Sequence, residues 1–262
     1  MDLRITGKKA LVTGSTAGIG FATARALAAE SASVVVNGRT QERVDAAISE
    51  IRKMHPRADV TGVAADVSTA AGCAKLVQAL ARADILVNNM GIFEPKKFEE
   101  ISDDDWMRMF EANVMSGVRL SRHYLSAMRD KNWGRILFVS SESAVQIPAE
   151  MIHYGMTKTA QIAVARGIAE AVSGTGITVN SVLAGPTLSE GAGLFIKRMG
   201  GGGDVAAIEA EFFKTIRPTS LLKRFETIDE VASMIVYLCS PVASATTGSA
   251  VRVDGGVVRA IL

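Results

Sequence analysis

Ala10-Leu11-Val12-Thr13-Gly14-Ser15-Thr16-Ala17-Gly18-Ile19-Gly20 is the stretch on which the fold turns. Three consecutive apolar residues read as a buried strand, the glycine-rich run as a tight turn, and Phe21 to Glu30 directly after it as a helix. Gly14, Gly18 and Gly20 allow backbone to approach an anion closely, while the helix start offers free N–H groups and a positive dipole end. The spacing is G-x-x-x-G-x-G rather than G-x-G-x-x-G, and taken alone it also fits a flexible surface loop. Its place between an apolar strand and a helix favours a phosphate cradle.

Downstream the alternation repeats. Val34-Val35-Val36 reads as a second strand ending at Asn37-Gly38-Arg39, and Gln41 to Met54 as a helix with Val44, Ala47, Ile48 and Ile51 on one face. The end of such a second strand faces the adenosine ribose, where a carboxylate suits NAD and an arginine suits the 2′-phosphate of NADP. Here Gly38 leaves room and Arg39 brings charge, which favours NADP(H), with NAD(H) as the alternative if Arg39 only stacks on adenine or faces solvent. Val60 to Ala65, closed by Asp66-Val67, makes a third strand, Ala71 to Arg82 a helix, and Ile85-Leu86-Val87 a fourth strand. Asn88-Asn89-Met90-Gly91 then forms either a second cofactor loop or a tight polar turn.

Ser102-Asp103-Asp104-Asp105 signals a helix start, and one long helix is drawn from there to about Arg129. Asn113 lies on its partly apolar face, where a lone asparagine is ordinarily a satisfied hydrogen bonder. Ile136 to Val139 is the central strand, the helix carrying Tyr154 runs to about Val172, and Ile177 to Val182 is a sixth strand ended by Ala184-Gly185-Pro186-Thr187. Ile228 opens a last helix that stops before Pro241, and Ser249 to Val253 is the seventh strand. The pattern predicts an α/β protein: one Rossmann-type doubly wound domain over residues 1–262, with a seven-stranded, mostly parallel sheet and helices on both faces. Residues 187–220 break the pattern, carrying Leu194, Phe195, Ile196 and Met199, then Gly200 to Gly203, then Phe212 and Phe213, and read as a mobile substrate lid.

The chemistry centres on Tyr154-Gly155-Met156-Thr157-Lys158. Residues four apart share a helix face, so phenol and ammonium reach one small volume. A free phenol has a pKa of about 10, and a neighbouring cation brings it towards neutrality, where it can carry protons. Ser141, at the strand end, offers a hydroxyl to a carbonyl oxygen. His153 is expected to face away, because adjacent residues do not share a helix face.

Composition narrows the classes. Of 262 residues 48% are hydrophobic and 21% charged, with a net charge of +2, which fits neither a disordered chain nor a strongly basic nucleic-acid binder. No stretch approaches the ~18 uninterrupted apolar residues of a membrane span, and the charged N-terminal residues do not form a signal peptide. Cys73 and Cys239 have no redox or metal-ligand spacing, so no metal is expected and a cytoplasmic location is.

Thr13-Gly14-x-x-x-Gly18-x-Gly20, Asn88-Asn89-x-Gly91, Asn113, Ser141 and Tyr154-x-x-x-Lys158 together resemble the short-chain dehydrogenase/reductase family, over Lys8 to about Gly256. The resemblance implies Tyr154 as general acid/base, Lys158 as holder of the nicotinamide ribose that also lowers the phenol pKa, Ser141 as orienter of the substrate oxygen, and Asn113 as holder of a relay water. It implies a cofactor set of Gly14, Ser15, Thr16, Gly18, Ile19, Gly20, Arg39, Asp66, Val67, Asn88, Gly91, Tyr154, Lys158, Gly185 and Thr187. Asp66 is assigned to the adenine, and Asn88 and Gly91 to the adenosine side. It implies a homo-oligomer, tetramer or dimer. Met90 replaces the alanine usual in its loop, Ala184 stands where relatives carry proline, and Ser189 where many have threonine. The implied reaction is hydride transfer between NADP(H) or NAD(H) and a carbonyl or secondary alcohol. A non-redox dehydratase or epimerase and a non-catalytic dinucleotide sensor are the alternatives from other classes. Within the family two substrates compete: a 3-oxoacyl thioester, served by Lys197 and Arg198, and a compact, partly apolar ketone or alcohol lined by Phe93, Ile147, Ile152, Leu194 and Phe195.

Overall fold

Alternation along each apolar strand sends neighbouring side chains into two separate cores. Ala10 and Val12, Val34 and Val36, Ile85 and Val87, and Leu137 and Val139 join one core. Leu11, Val35, Leu86, Ile136 and Phe138 join the other. The computed structural model describes residues 2–189 and 205–261. Its strands are β1 (Lys9–Val12), β2 (Ser33–Gly38), β3 (Val60–Ala64), β4 (Ile85–Asn88), β5 (Gly134–Ser141), β6 (Ile177–Ala184) and β7 (Ala250–Val253). They pair in the order β3-β2-β1-β4-β5-β6-β7, every pair parallel.

A parallel sheet must be covered on both faces, and the helices do this. α1 (Gly18–Ala29), α2 (Gln41–Met54) and the last helix, Ile228–Leu238, pack on the first core. α3 (Ala70–Ala79) and the helices around Leu120 and Ala165 pack on the second. The strand order reverses between β1 and β4, which opens a crevice at their carboxyl ends. Both glycine-bearing loops emerge there.

Three details depart from the sequence reading. The long helix is α4 (Asp103–Phe110) and α5 (Ser116–Asp130) joined by a π-turn, Glu111–Met115, centred on Asn113. A single π-turn sits between two α-helical segments without breaking the helical run, so the sequence still reads as one helix. β2 and β5 run on through polar residues, to Gly38 and Ser141, because β3 and β6 supply ladder partners there. Within residues 187–220, a helix, α7 (Val205–Thr215), stacks Phe212 and Phe213 on Phe225 with ring centroids 5.0 and 5.2 Å apart. The helix carrying Tyr154 is α6 (Ile152–Ala171), and α8 is Ile228–Leu238. Leu194 to Met199 and Gly200 to Gly203 lie outside the described residues. Among the described residues no helix is long and apolar enough to cross a membrane.

Candidate active site

Gly14 and Gly18 adopt φ of +60° and +59°, a conformation that costs a side chain but not glycine. Ala17 caps α1 without a side-chain bond, and the first turn carries no acidic residue, so its N–H groups remain available to an anion. Ser15, assigned to the cofactor from sequence, instead braces β1 to β2. Its hydroxyl donates to Val12 O at 2.7 Å and accepts from Asn37 N at 2.9 Å, and its own N–H donates to Asn37 O at 2.8 Å. Gly20 is a packing glycine: a Cβ there would lie 2.4 Å from Asn89 Nδ2 and 2.5 Å from Gly14 O.

Of the two asparagines after β4, the second serves the cleft. Asn88 points towards α5, where Nδ2 donates to Ser121 Oγ at 3.2 Å. Asn89 ties the loops together, its Nδ2 donating to Thr13 O at 2.9 Å and Gly14 O at 3.1 Å. The strand period of two explains the split, since Asn88 shares the side of Leu86. Met90 packs against the second core and donates its N–H to Thr13 Oγ1 at 3.0 Å, so the loop accommodates the bulkier residue.

One cleft connects the remaining candidates. Gly14, Thr16, Arg39, Asp66 and Val67 line its outer half, and Ile19, Ser141, Tyr154, Lys158, Gly185 and Thr187 its inner half. Asn89 and Gly91 belong to both halves. Arg39 is exposed at the outer end. Asp66 spends Oδ1 on the N–H and hydroxyl of Ser68, at 3.1 and 2.7 Å. At the inner end Gly185 must be glycine, because a Cβ would lie 2.5 Å from Glu226 Oε1 and 2.7 Å from Asp254 Cα. Of the expected apolar wall, Phe93 lines the cavity, while Ile147 and Ile152 do not. Met151, Phe212, Ile216 and Phe225 supply the rest.

Lys158 is 5% exposed, and its Nζ donates to Val139 O at 2.9 Å and Gln161 Oε1 at 3.2 Å. Burial among neutral acceptors draws this ammonium down to about 8. Contrary to expectation, Lys158 does not draw the Tyr154 phenol down. Burial first, and the Glu142 carboxylate second, push the phenol well above its ordinary value, while the Arg217 cation pulls it partly back. Lys158 lies over the ring face, 5.5 Å from the centroid, rather than at the oxygen. His153 is fully buried and sits edge-on to Trp106, with ring centroids 5.8 Å apart.

Asn113 sits at the centre of the π-turn. Its side chain clamps Ile92, accepting from N at 2.7 Å and donating to O at 2.9 Å. Its carbonyl, in the widened π-turn, accepts from Gln161 Nε2 at 2.6 Å. The Gln161 carboxamide thereby links that carbonyl to Lys158 Nζ.

Sequence reasoning missed the charged wall beyond Ser141. Glu142, 3% exposed, accepts from Arg217 Nε at 2.7 Å, and Arg217 Nη1 reaches Glu150 Oε1 at 3.2 Å. The serine-rich run Ser140-Ser141-Glu142-Ser143 was the available signal for Glu142. Arg217 gave none, because 75 residues separate the partners.

Phenol, buried lysine, serine and a cleft at a switch point behind a glycine turn define a nucleotide-dependent oxidoreductase site. A family profile described as enoyl-(acyl carrier protein) reductase matches residues 14–258. An uncharacterized oxidoreductase of Bacillus subtilis, YvaG, is 46% identical with both chains covered completely. The 3-oxoacyl-[acyl-carrier-protein] reductase FabG of Aquifex aeolicus is 30% identical over 98% of this chain and 100% of its own. The L-sorbose reductase of Gluconobacter frateurii, solved with NADPH and L-sorbose, superposes with a TM-score of 0.92 at 32% identity, both chains fully covered. The chain belongs to the short-chain dehydrogenase/reductase family. Its relatives are oxidoreductases, and the dehydratase, epimerase and sensor readings find no counterpart among those named.

Proposed function

We propose that this protein reduces a compact, polar ketone with NADPH, or oxidises the corresponding secondary alcohol with NADP+, with Tyr154 as the proton carrier. The observation that carries this is the single cleft leading from Arg39 and Asp66, past Asn89 and Gly91, to Tyr154, Lys158 and Ser141. The cradle fits a dinucleotide: the Gly14 turn and the uncapped α1 would hold the pyrophosphate, Arg39 the 2′-phosphate, and Lys158 the nicotinamide ribose. When bound, the cofactor supplies or accepts the hydride. Tyr154, protonated at neutral pH, donates to the nascent alkoxide oxygen, and Ser141 orients that oxygen. Gly185 and Thr187 close the inner end.

The Glu142, Glu150 and Arg217 wall supports a polar substrate over an acyl chain, as does the likeness to an L-sorbose reductase. Lys197 and Arg198, on which the thioester reading leaned, lie outside the described residues. Thr187, Phe212, Ile216 and Arg217 all face the cavity, which supports a substrate-covering role for residues 187–220. Two buried free cysteines support a cytoplasmic location. A homotetramer or dimer is inferred through α5, α6 and the open edge of β7.

A panel of neutral hydroxyketones, simple ketones and 3-oxoacyl thioesters, followed by loss of NADPH absorbance, tests the reading. Fastest turnover on a thioester would overturn the substrate class, and no turnover on any would overturn the activity. Arg39→Ala is expected to raise KM for NADPH about 10- to 100-fold while leaving KM for NADH nearly unchanged. Equal effects on the two cofactors would remove Arg39 from phosphate recognition.

A further inference from the structure

Ser141 Oγ donates to Glu142 Oε2 at 2.7 Å and accepts from Ser143 N at 3.1 Å. Ser143 Oγ also donates to Oε2, while Oε1 accepts from Arg217 Nε at 2.7 Å. The carboxylate is 3% exposed and the guanidinium 8%, in the wall of the cavity that holds Tyr154. Buried this deeply, the carboxylate has the Arg217 guanidinium as its direct partner. This pair could have stabilised the fold from many places, yet it bonds directly to the serine next to the catalytic phenol.

We propose that Glu142 and Arg217 are a positioning pair that fixes the rotor of Ser141 and sets the charge beside Tyr154, joining the end of α7 to the proton-transfer site. This rests on Tyr154 as acid/base. The two partners act on the phenol with opposite signs, the carboxylate disfavouring phenolate and the guanidinium favouring it. The other ionisable groups around them are Lys158 on α6, Glu150 before it, bonded to Arg217, and Glu226 behind Gly185. Glu150 binds the cation rather than the phenol, so its field is largely shared with Arg217.

The test is a pH titration of Tyr154 in the NADP+ complex, read by NMR with tyrosine labelled at Cζ. The chain has three tyrosines, and Tyr154→Phe identifies the resonance. Glu142→Gln is expected to lower the phenol midpoint by about one unit, a tenfold change in phenolate fraction at fixed pH. Arg217→Gln is expected to raise it, Arg217→Lys to leave it near the original value, and the double Gln variant to bring it back. The pH profile of alcohol oxidation should move in step, with melting temperature as the control for folding. If Arg217→Gln does not fold, Glu142→Gln against the double variant decides, the double lying higher. Unmoved midpoints, or shifts in the same direction for Glu142→Gln and Arg217→Gln, would overturn the pairing even if stability falls. If NADP+ leaves the Tyr154 resonance of the unsubstituted protein unmoved, the cofactor reading fails instead, and the variants are compared without it.

Discussion

Tyr154→Phe is expected to lower kcat about 1000-fold, with NADPH affinity changed by less than about threefold. The substitution removes one oxygen and leaves the ring, which sits edge-on to Phe93 at 6.2 Å and above Lys158 Nζ at 5.5 Å. Lys158 keeps its bonds to Val139 O and Gln161 Oε1, so the ribose site survives. What disappears is the only phenol among the described residues lining the cavity, and with it the proton for the alkoxide. Because burial and Glu142 raise that phenol, it is protonated at neutral pH. Ketone reduction should therefore run at neutral pH, whereas alcohol oxidation should keep rising into the alkaline range as phenolate forms. Steady-state kinetics in both directions, with cofactor binding measured by fluorescence, check this. A Phe variant with near-native turnover would take Tyr154 out of the mechanism.

Glu226→Gln should stabilise the protein at alkaline pH by roughly 3 kcal/mol, a Tm rise on the order of 5–10 °C. Glu226 is 2% exposed and both its carboxyl oxygens lack a partner among the described residues. It is wedged against Gly185 and Gly255, which leave space only by having no Cβ. Burial pushes its carboxyl up to about 7, and Asp254 adds to the push. The folded protein therefore holds a proton there that the unfolded chain has released. That contribution is complete below about pH 4.5, the unfolded value, and is lost as pH rises through about 7. Gln carries no ionisable group, so the difference in melting temperature between variant and wild type should grow from pH 5 to 8.5. A constant difference would mean that Glu226 is compensated by a group in solution or by a bound ion. The position matters functionally because Glu226 N donates to Pro186 O at 2.9 Å and its carbonyl accepts from Leu188 N at 2.8 Å, holding the loop that closes the inner cleft.

Local pattern was enough for much of this molecule. An apolar triplet followed by Gly14, Gly18 and Gly20, and repeated strand and helix periods, determined a doubly wound parallel sheet, because burial on both faces demands those patterns in contiguous chain. Tyr154 and Lys158 were readable for the same reason: four residues on a helix are neighbours whatever surrounds them. Tertiary structure decided the rest. Whether Asn88 or Asn89 faced the cleft depended on strand register, and whether Ser15 was open or buried depended on how Asn37 packed beneath it. The π-turn at Asn113 met Gln161, 48 residues on, and Glu142 met Arg217, 75 residues on. Contacts of that range leave no period in the chain. They exist only once the strands have brought their ends together, and that is also when burial gives Lys158, Tyr154 and Glu226 their altered acidities.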